Sequence, residues 1–209
     1  HTALEAALRF LPLPLGLMPA AANSDRLVEK FGSNNVVASG LTLVTIGMLI
    51  FTTVTIDTDY TKLALIFFLL GLGMGLTMAP ATTLVMDSIP ADKAGVGSAT
   101  NDTSREIGGA LGIAIGGSVL NEYYQRNMVI PEGLEYLGQL PFESFPAAMR
   151  IGGGLLSEGD LLGAKLIENA QLAFVEGMVA SVYVAAAIAF IAAILVKKYM
   201  PNRIIENKK

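Results

Sequence analysis

Three ionisable residues one helical turn apart, in an otherwise apolar and glycine-rich stretch, are the part of this sequence best suited to chemistry. Asp102, Arg105 and Glu106 lie in residues 95–120, a run without proline whose second half, from Ile107 to Leu120, carries no charge. On a helix Asp102 and Glu106 are four apart and share a face, and Arg105, three from Asp102, is within its reach. Burial and mutual repulsion favour the protonated form of such acids, whereas a guanidinium favours the ionised form, so the trio can exchange protons. An ionisable side chain at mid-bilayer costs about 2.5–3.5 kcal/mol, so such groups persist where they face water or a partner inside a bundle. The competing reading is an ion-paired network that only closes one end of the helix. Gly108, Gly112 and Gly116 recur at intervals of four, and Gly109 and Gly117 at eight, which gives the same stretch a groove for another helix.

Composition says where such a stretch resides. With 53% hydrophobic and 15% charged residues and a mean hydropathy of +0.56, the 209-residue chain departs from soluble domains toward membrane proteins. The absence of cysteine and a single histidine, His1, exclude a disulfide framework, a thiolate metal site and a histidine cluster. No nucleophile–base pair stands out, which disfavours an enzyme. A net charge of −4 argues against nucleic acid as a partner. The sequence starts in mid-helix without Met, a basic leader or a cleavage site, and reads as a fragment of a longer polytopic protein.

The elements that must position the trio are spanning helices. Spans are expected at about 2–22, 36–56, 63–86 and 96–120, followed by an outer segment at 121–174, a last span at 175–197 and a tail at 198–209. Pro12, Pro14 and Pro19 make the first span a kinked helix, tolerable where neighbours satisfy the freed carbonyls. Residues 23–32 read as a short polar turn. Gly71-Leu72-Gly73-Met74-Gly75 superficially resembles a phosphate loop, but no strand precedes it and no Lys-Ser/Thr follows, so Gly71 and Gly75 read as helix-contact positions. Most Lys and Arg fall in the short 23–35 and 87–95 loops and the tail, including Lys197, Lys198, Arg203, Lys208 and Lys209, which places that side in the cytoplasm. In the outer segment, apolar residues at helical spacing over 155–168, with Pro141, Pro146 and Gly152-Gly153-Gly154 as punctuation, indicate short amphipathic helices. They form either a hairpin over the outer mouth or a loop along the lipid headgroups.

The run from Gly95 to Ser118, with Asn101-Asp102-Thr103-Ser104-Arg105-Glu106-Ile107-Gly108-Gly109-Ala110-Leu111-Gly112, strongly resembles the penultimate helix of the fourteen-helix drug:proton antiporters of the major facilitator superfamily, the DHA2 type. Leu4-Glu5-Ala6-Ala7-Leu8-Arg9-Phe10-Leu11-Pro12 is similar to the start of the second helix of that family's C-terminal half. Asp25-Arg26, followed by Gly32, is similar to the degenerate second copy of its cytoplasmic loop motif. The resemblance implies an all-α integral membrane fold, the last five helices of such a transporter, with an extracellular helical loop. It implies a bacterial inner or plasma membrane, a cytoplasmic C-terminus, the N-terminal half of the same transporter and the lipid bilayer as partners, and no cofactor beyond the proton motive force. By the same resemblance the third span lines a central cavity, the first and fourth sit at the seam between halves, and the second and fifth are peripheral. Asp102 and Glu106, with Arg105 and Asn101, become candidates for proton coupling or substrate binding, and Asp25, Arg26 and Gly32 for a conformational latch. Asn101 departs from those relatives that carry another acid there. The expected function is proton-coupled efflux of small amphipathic compounds by alternating access. Export of a metabolite, siderophore or peptide, or a non-transport membrane scaffold, are the alternatives.

Overall fold

Proline and glycine set most of the helix boundaries. The computed structural model describes residues 3–55 and 58–202, and the regular elements among them are helical. His1, Thr2, Ile56, Asp57 and the basic tail from Arg203 to Lys209 lie outside the described residues. In chain order the helices are α1 (Ala3–Arg9), α2 (Pro12–Phe31), α3 (Ser33–Phe51), α4 (Tyr60–Asp87), α5 (Ala94–Asn127), α6 (Leu140–Glu143), α7 (Phe145–Ser157) and α8 (Leu162–Tyr199). Short 3-10 turns occur at Ala91–Lys93 and Glu135–Leu137. Pro12 opens α2, where its missing N–H costs nothing. Asp59 caps α4 by accepting the Thr61 backbone N–H at 3.2 Å, and hydrogen bonds from Thr61 hold its carboxyl below the usual range. Three helices are long and apolar enough to cross a bilayer among the described residues: Ser33–Phe51, Tyr60–Asp87 and Leu162–Tyr199. The chain is a multi-pass, all-α membrane protein.

Several details differ from the sequence expectation. Residues 23–31 are helical, because Ser24 and Val28 continue the buried stripe begun by Gly16 and Ala20 while Asp25, Arg26 and Lys30 are exposed. The link from α2 to α3 is Gly32 alone, with φ of 83° and its N–H donating to the Val28 carbonyl at 2.8 Å. Gly152, Gly153 and Gly154 sit inside α7 and do not punctuate it. Over 155–168, where short amphipathic helices are expected, α7 ends at Ser157 and α8 begins at Leu162 across a turn at Gly159, whose φ is 87°.

Two compact units divide the chain, one made of His1–Phe51, Thr58–Leu111 and Ala185–Lys209, the other of Thr52–Asp57 and Gly112–Val184. In the first, α4 is packed by α2 on one side and α3 on the other. Gly71 and Gly75 are four apart and face α2: a Cβ at Gly71 would meet the Leu13 carbonyl oxygen and, at 3.0 Å, the Leu17 nitrogen, and one at Gly75 would meet Ala20 Cβ at 2.8 Å. Gly73, about 200° round the helix from Gly71, faces α3, where an added Cβ would lie 2.6 Å from the Gly40 carbonyl oxygen. Lipid tails are as apolar as leucine, so close backbone approach and its dispersion gain hold such helices together. Phe10 stacks on Phe67 at 5.0 Å. The end of α8 docks on the start of α3, with Lys197 donating to the Asn35 side-chain oxygen and Ser33 Oγ donating to the Pro201 carbonyl at 2.9 Å.

The second unit has its own core of Tyr124, Met128, Leu134, Ala148, Leu166 and Ala170, contributed by α5, α7, α8 and the strap between them. Tyr124 Oη donates to the Pro141 carbonyl at 2.9 Å, and burial pushes its phenol pKa up. Asn169 Nδ2 donates to the Val129 carbonyl at 2.9 Å, and Phe145 stacks on Phe174 at 4.5 Å. Gly152 and Gly163 bring α7 and α8 into backbone contact: a Cβ at Gly152 would lie 2.9 Å from the Gly163 carbonyl oxygen. This is why a glycine triplet is retained within a helix.

Two outcomes follow. Gly71→Ala should lower the unfolding free energy of the detergent-solubilised protein by about 1–3 kcal/mol through overpacking, whereas Gly153→Ala, which meets open space, should be neutral or slightly stabilising; thermal unfolding measures both. Leu166→Ala, at a fully buried position, should cost the second unit about 2–5 kcal/mol, read as faster proteolysis within 128–162.

Candidate functional site

α5 has no proline between Pro90 and Pro131, so nothing interrupts its 34 residues. Two of its hydroxyls are spent on its own backbone: Thr100 Oγ1 donates to the Val96 carbonyl and Ser104 Oγ to the Thr100 carbonyl, both at 2.8 Å. Helical periodicity places Asp102 and Glu106 on one stripe, and both are exposed, as is Arg105. Among the described residues none of the three makes a hydrogen bond or an ion pair, so Arg105 does not close on Asp102. Beside the acids, Gly95, Val96, Ala99, Thr100, Thr103 and Ser104 form a shallow concavity of about 460 Å³ with small and hydroxyl side chains. The arrangement presents two carboxylates, a guanidinium and a hydroxylated wall to whatever adjoins α5, a surface fit for protons, water or a polar ligand.

The remaining sequence-derived residues fall in several places. Asn101 is half-buried on α5. Gly108 and Gly112 have open space: among the described residues an added Cβ would meet nothing within 4 Å, so no described helix fills the groove they make. At Gly116 an added Cβ would lie 3.0 Å from Ser181 Oγ, which does bring α8 close. Gly71 and Gly75 are in tight contact with α2, as described above. Asp25 and Arg26 are exposed on α2, seven and six residues before the Gly32 turn that ends it, and make no hydrogen bond or ion pair among the described residues. No cluster of His, Cys, Asp and Glu among the described residues could hold a metal ion.

Sequence reasoning passed over Glu176, which stands on α8 at the start of the expected last span and lines a cleft with Tyr123, Asn127 and Tyr183. The signal was present, since a carboxylate within the apolar run from Val175 to Val196 needs the same explanation as Asp102.

Comparison with known proteins decides the family. Residues 1–113, more than half of the chain, match the family model described as the Major Facilitator Superfamily. The chain belongs to this superfamily. This major facilitator protein is 28% identical over 196 residues to the multidrug efflux pump LfrA of Mycolicibacterium smegmatis, an alignment covering 92% of the chain and 38% of LfrA. It is 33% identical over 114 residues to the MFS-type transporter YhcA of Bacillus subtilis, covering 54% of the chain and 21% of that protein. With the multidrug transporter MdtP of Bacillus subtilis it shares 27% identity over 152 residues, covering 73% of the chain and 28% of MdtP. The chain thus spans less than two fifths of the length of these curated relatives.

Because Asp102 has no partner among the described residues, Asp102→Asn in this major facilitator protein should leave the thermal unfolding midpoint of the solubilised protein within replicate scatter. A buried, ion-paired strut would lower it by several degrees, as loss of one partner of a buried pair does.

Proposed function

We propose that the chain is the C-terminal part of a proton-coupled exporter of small amphipathic compounds, in which Asp102 and Glu106 on α5 carry the exchangeable protons. The observation that carries this reading is that two carboxylates and a guanidinium stand exposed and unpaired on one helix of a multi-pass membrane protein. Uncompensated carboxylates inside a membrane bundle need water or a ligand, and both are found along a transport route. Family membership favours transport over catalysis, and the names of LfrA and MdtP, both multidrug transporters, make drug-like compounds the leading cargo.

In this reading α2 and α5 also cross the bilayer, giving five spans and a C-terminus in the cytoplasm, with residues 121–174 as an extracellular helical loop. The length of the curated relatives is consistent with a further N-terminal part that supplies the other wall of the route. The open glycines Gly108 and Gly112 then offer a seat for one of its helices, while Asp25 and Arg26 serve as a latch on the cytoplasmic face. Protonation would shift the balance between inward- and outward-open states, and one elementary charge moved through 100 mV is worth about 2.3 kcal/mol, enough to reverse two states of nearly equal energy.

The test is dye efflux driven by an imposed pH gradient in vesicles carrying the full-length protein. Asp102→Asn and Glu106→Gln should each reduce gradient-driven efflux by about tenfold or more at equal membrane abundance, an effect of the size that loss of a proton-transfer group produces. Unchanged efflux in both variants would remove the acids from the coupling mechanism. Lower abundance with normal efflux per assembled molecule would make the cluster a scaffold element.

A further inference from the structure

Beside the contact that docks the end of α8 on the start of α3, the same two helices leave a groove of about 490 Å³ within the first unit. Ala38 and Ala193 are its buried residues, and its rims are Ser39 and Thr42 on α3 and Phe190 and Ile194 on α8, all exposed. The rims are apolar in effect. The two α3 hydroxyls are spent on their own backbone, Ser39 Oγ donating to the Val36 carbonyl at 2.7 Å and Thr42 Oγ1 to the Ala38 carbonyl at 2.8 Å.

Charge gathers at one end of this groove. Lys197 and Lys198 line it in the last turn of α8, and no acid does. Lys197 donates to the Asn35 side-chain oxygen, a neutral partner that leaves its charge and two of its N–H groups unspent. Lys198 Nζ lies over the Tyr199 ring at 5.1 Å. Among the described residues neither ammonium pairs with a carboxylate. Phe190, Ile194 and Lys198 follow one another at intervals of four, so the apolar wall runs about 12 Å back from the charged end of a helix long enough to span. One leaflet of hydrocarbon is about 15 Å deep, half of a core of about 30 Å. The groove therefore matches a ligand with an anionic head and an apolar tail of one leaflet's length. A soluble anion would leave the wall uncovered, and a neutral lipid would leave the lysines uncompensated. Basic pockets between spanning helices suit anionic headgroups for the same reason.

We propose that the α3–α8 groove is a binding site for an anionic phospholipid, with its phosphate on Lys197 and Lys198 and an acyl chain between Thr42 and the Phe190–Ile194 stripe. The bound lipid braces α8 against α3 at the membrane interface.

The experiment is native mass spectrometry of the delipidated full-length protein titrated with phosphatidylglycerol or with phosphatidylcholine of the same acyl chains, a readout of binding that is independent of the protons of Asp102 and Glu106. The tightest phosphatidylglycerol site should exceed phosphatidylcholine in affinity by about tenfold or more. A lysine near an anionic headgroup is worth about fivefold, so Lys198→Gln should lose about that factor and Lys197→Gln with Lys198→Gln about thirtyfold, while arginine at both positions retains most of the affinity. Lys198→Gln leaves the Lys197–Asn35 contact in place, which separates lost binding from a displaced α8. Thr42→Phe puts a ring into the groove without altering charge and should weaken the site by about fivefold or more. Lys93→Gln, which removes an exposed charge elsewhere in the first unit, should leave it unchanged. Equal affinity for the two lipids, unchanged affinity in both glutamine variants, or an equal loss from Lys93→Gln would overturn the proposal. Displacement of the lipid by inorganic phosphate, with no effect of Thr42→Phe, would make the occupant a free anion and overturn it as well.

Discussion

The backbone of α4 touches two helices at once, and the first unit depends on that. Gly71 and Gly75 admit α2 and Gly73 admits α3, so a five-residue segment carries both contacts from opposite faces. Within a membrane, apolar side chains gain little by leaving lipid for protein, and the free energy comes from dense contact between surfaces that can approach closely. A methyl group at Gly71 or Gly73 would meet backbone atoms, which cannot step aside as a side chain can. Three glycines thus set the spacing of the helices around α4.

α5 has the same kind of residue pattern and the opposite surroundings. Gly108 and Gly112 repeat at the interval seen at Gly71 and Gly75, yet among the described residues nothing adjoins them. The acids one to two turns earlier are equally uncovered. A helix with a small-residue groove and three unpaired ionisable groups is not at rest in lipid, because each such group costs several kcal/mol there. Such a surface calls for water, ligand or further helices, and the solute pathway proposed above would supply all three. The second unit contrasts again: Tyr124 is paired with Pro141 and Asn169 with Val129, and its core closes on itself.

Much of this was legible in the residues. Length and hydropathy marked the apolar helices α3, α4 and α8, and the spacing of Gly71 and Gly75 marked a helix contact. Elsewhere the sequence was ambiguous for physical reasons. The charged residues of 23–31 also suit an amphipathic helix, and only the packing of Ser24 and Val28 reveals which structure forms. Glycine in 152–154 signals a break when isolated, yet here Gly152 is required by the approach of Gly163. Spacing alone shows that a glycine stripe permits contact, not that a partner is present, which is why Gly75 and Gly108 look alike in sequence and differ in structure. Glu176 was lost inside a hydrophobic window whose average concealed one charge.

The account turns on whether the Asp102 and Glu106 positions look into water within the assembled transporter. The chain contains no cysteine, so single cysteines at 102 and 106 can be placed in a cysteine-free full-length background and challenged in membrane vesicles with a water-soluble maleimide and, separately, with a lipid-confined quencher. Rapid maleimide reaction at both positions, with little effect of the quencher on a probe attached there, is the predicted result. Resistance to the maleimide together with strong quenching from the lipid would place the two positions in hydrocarbon and contradict the account.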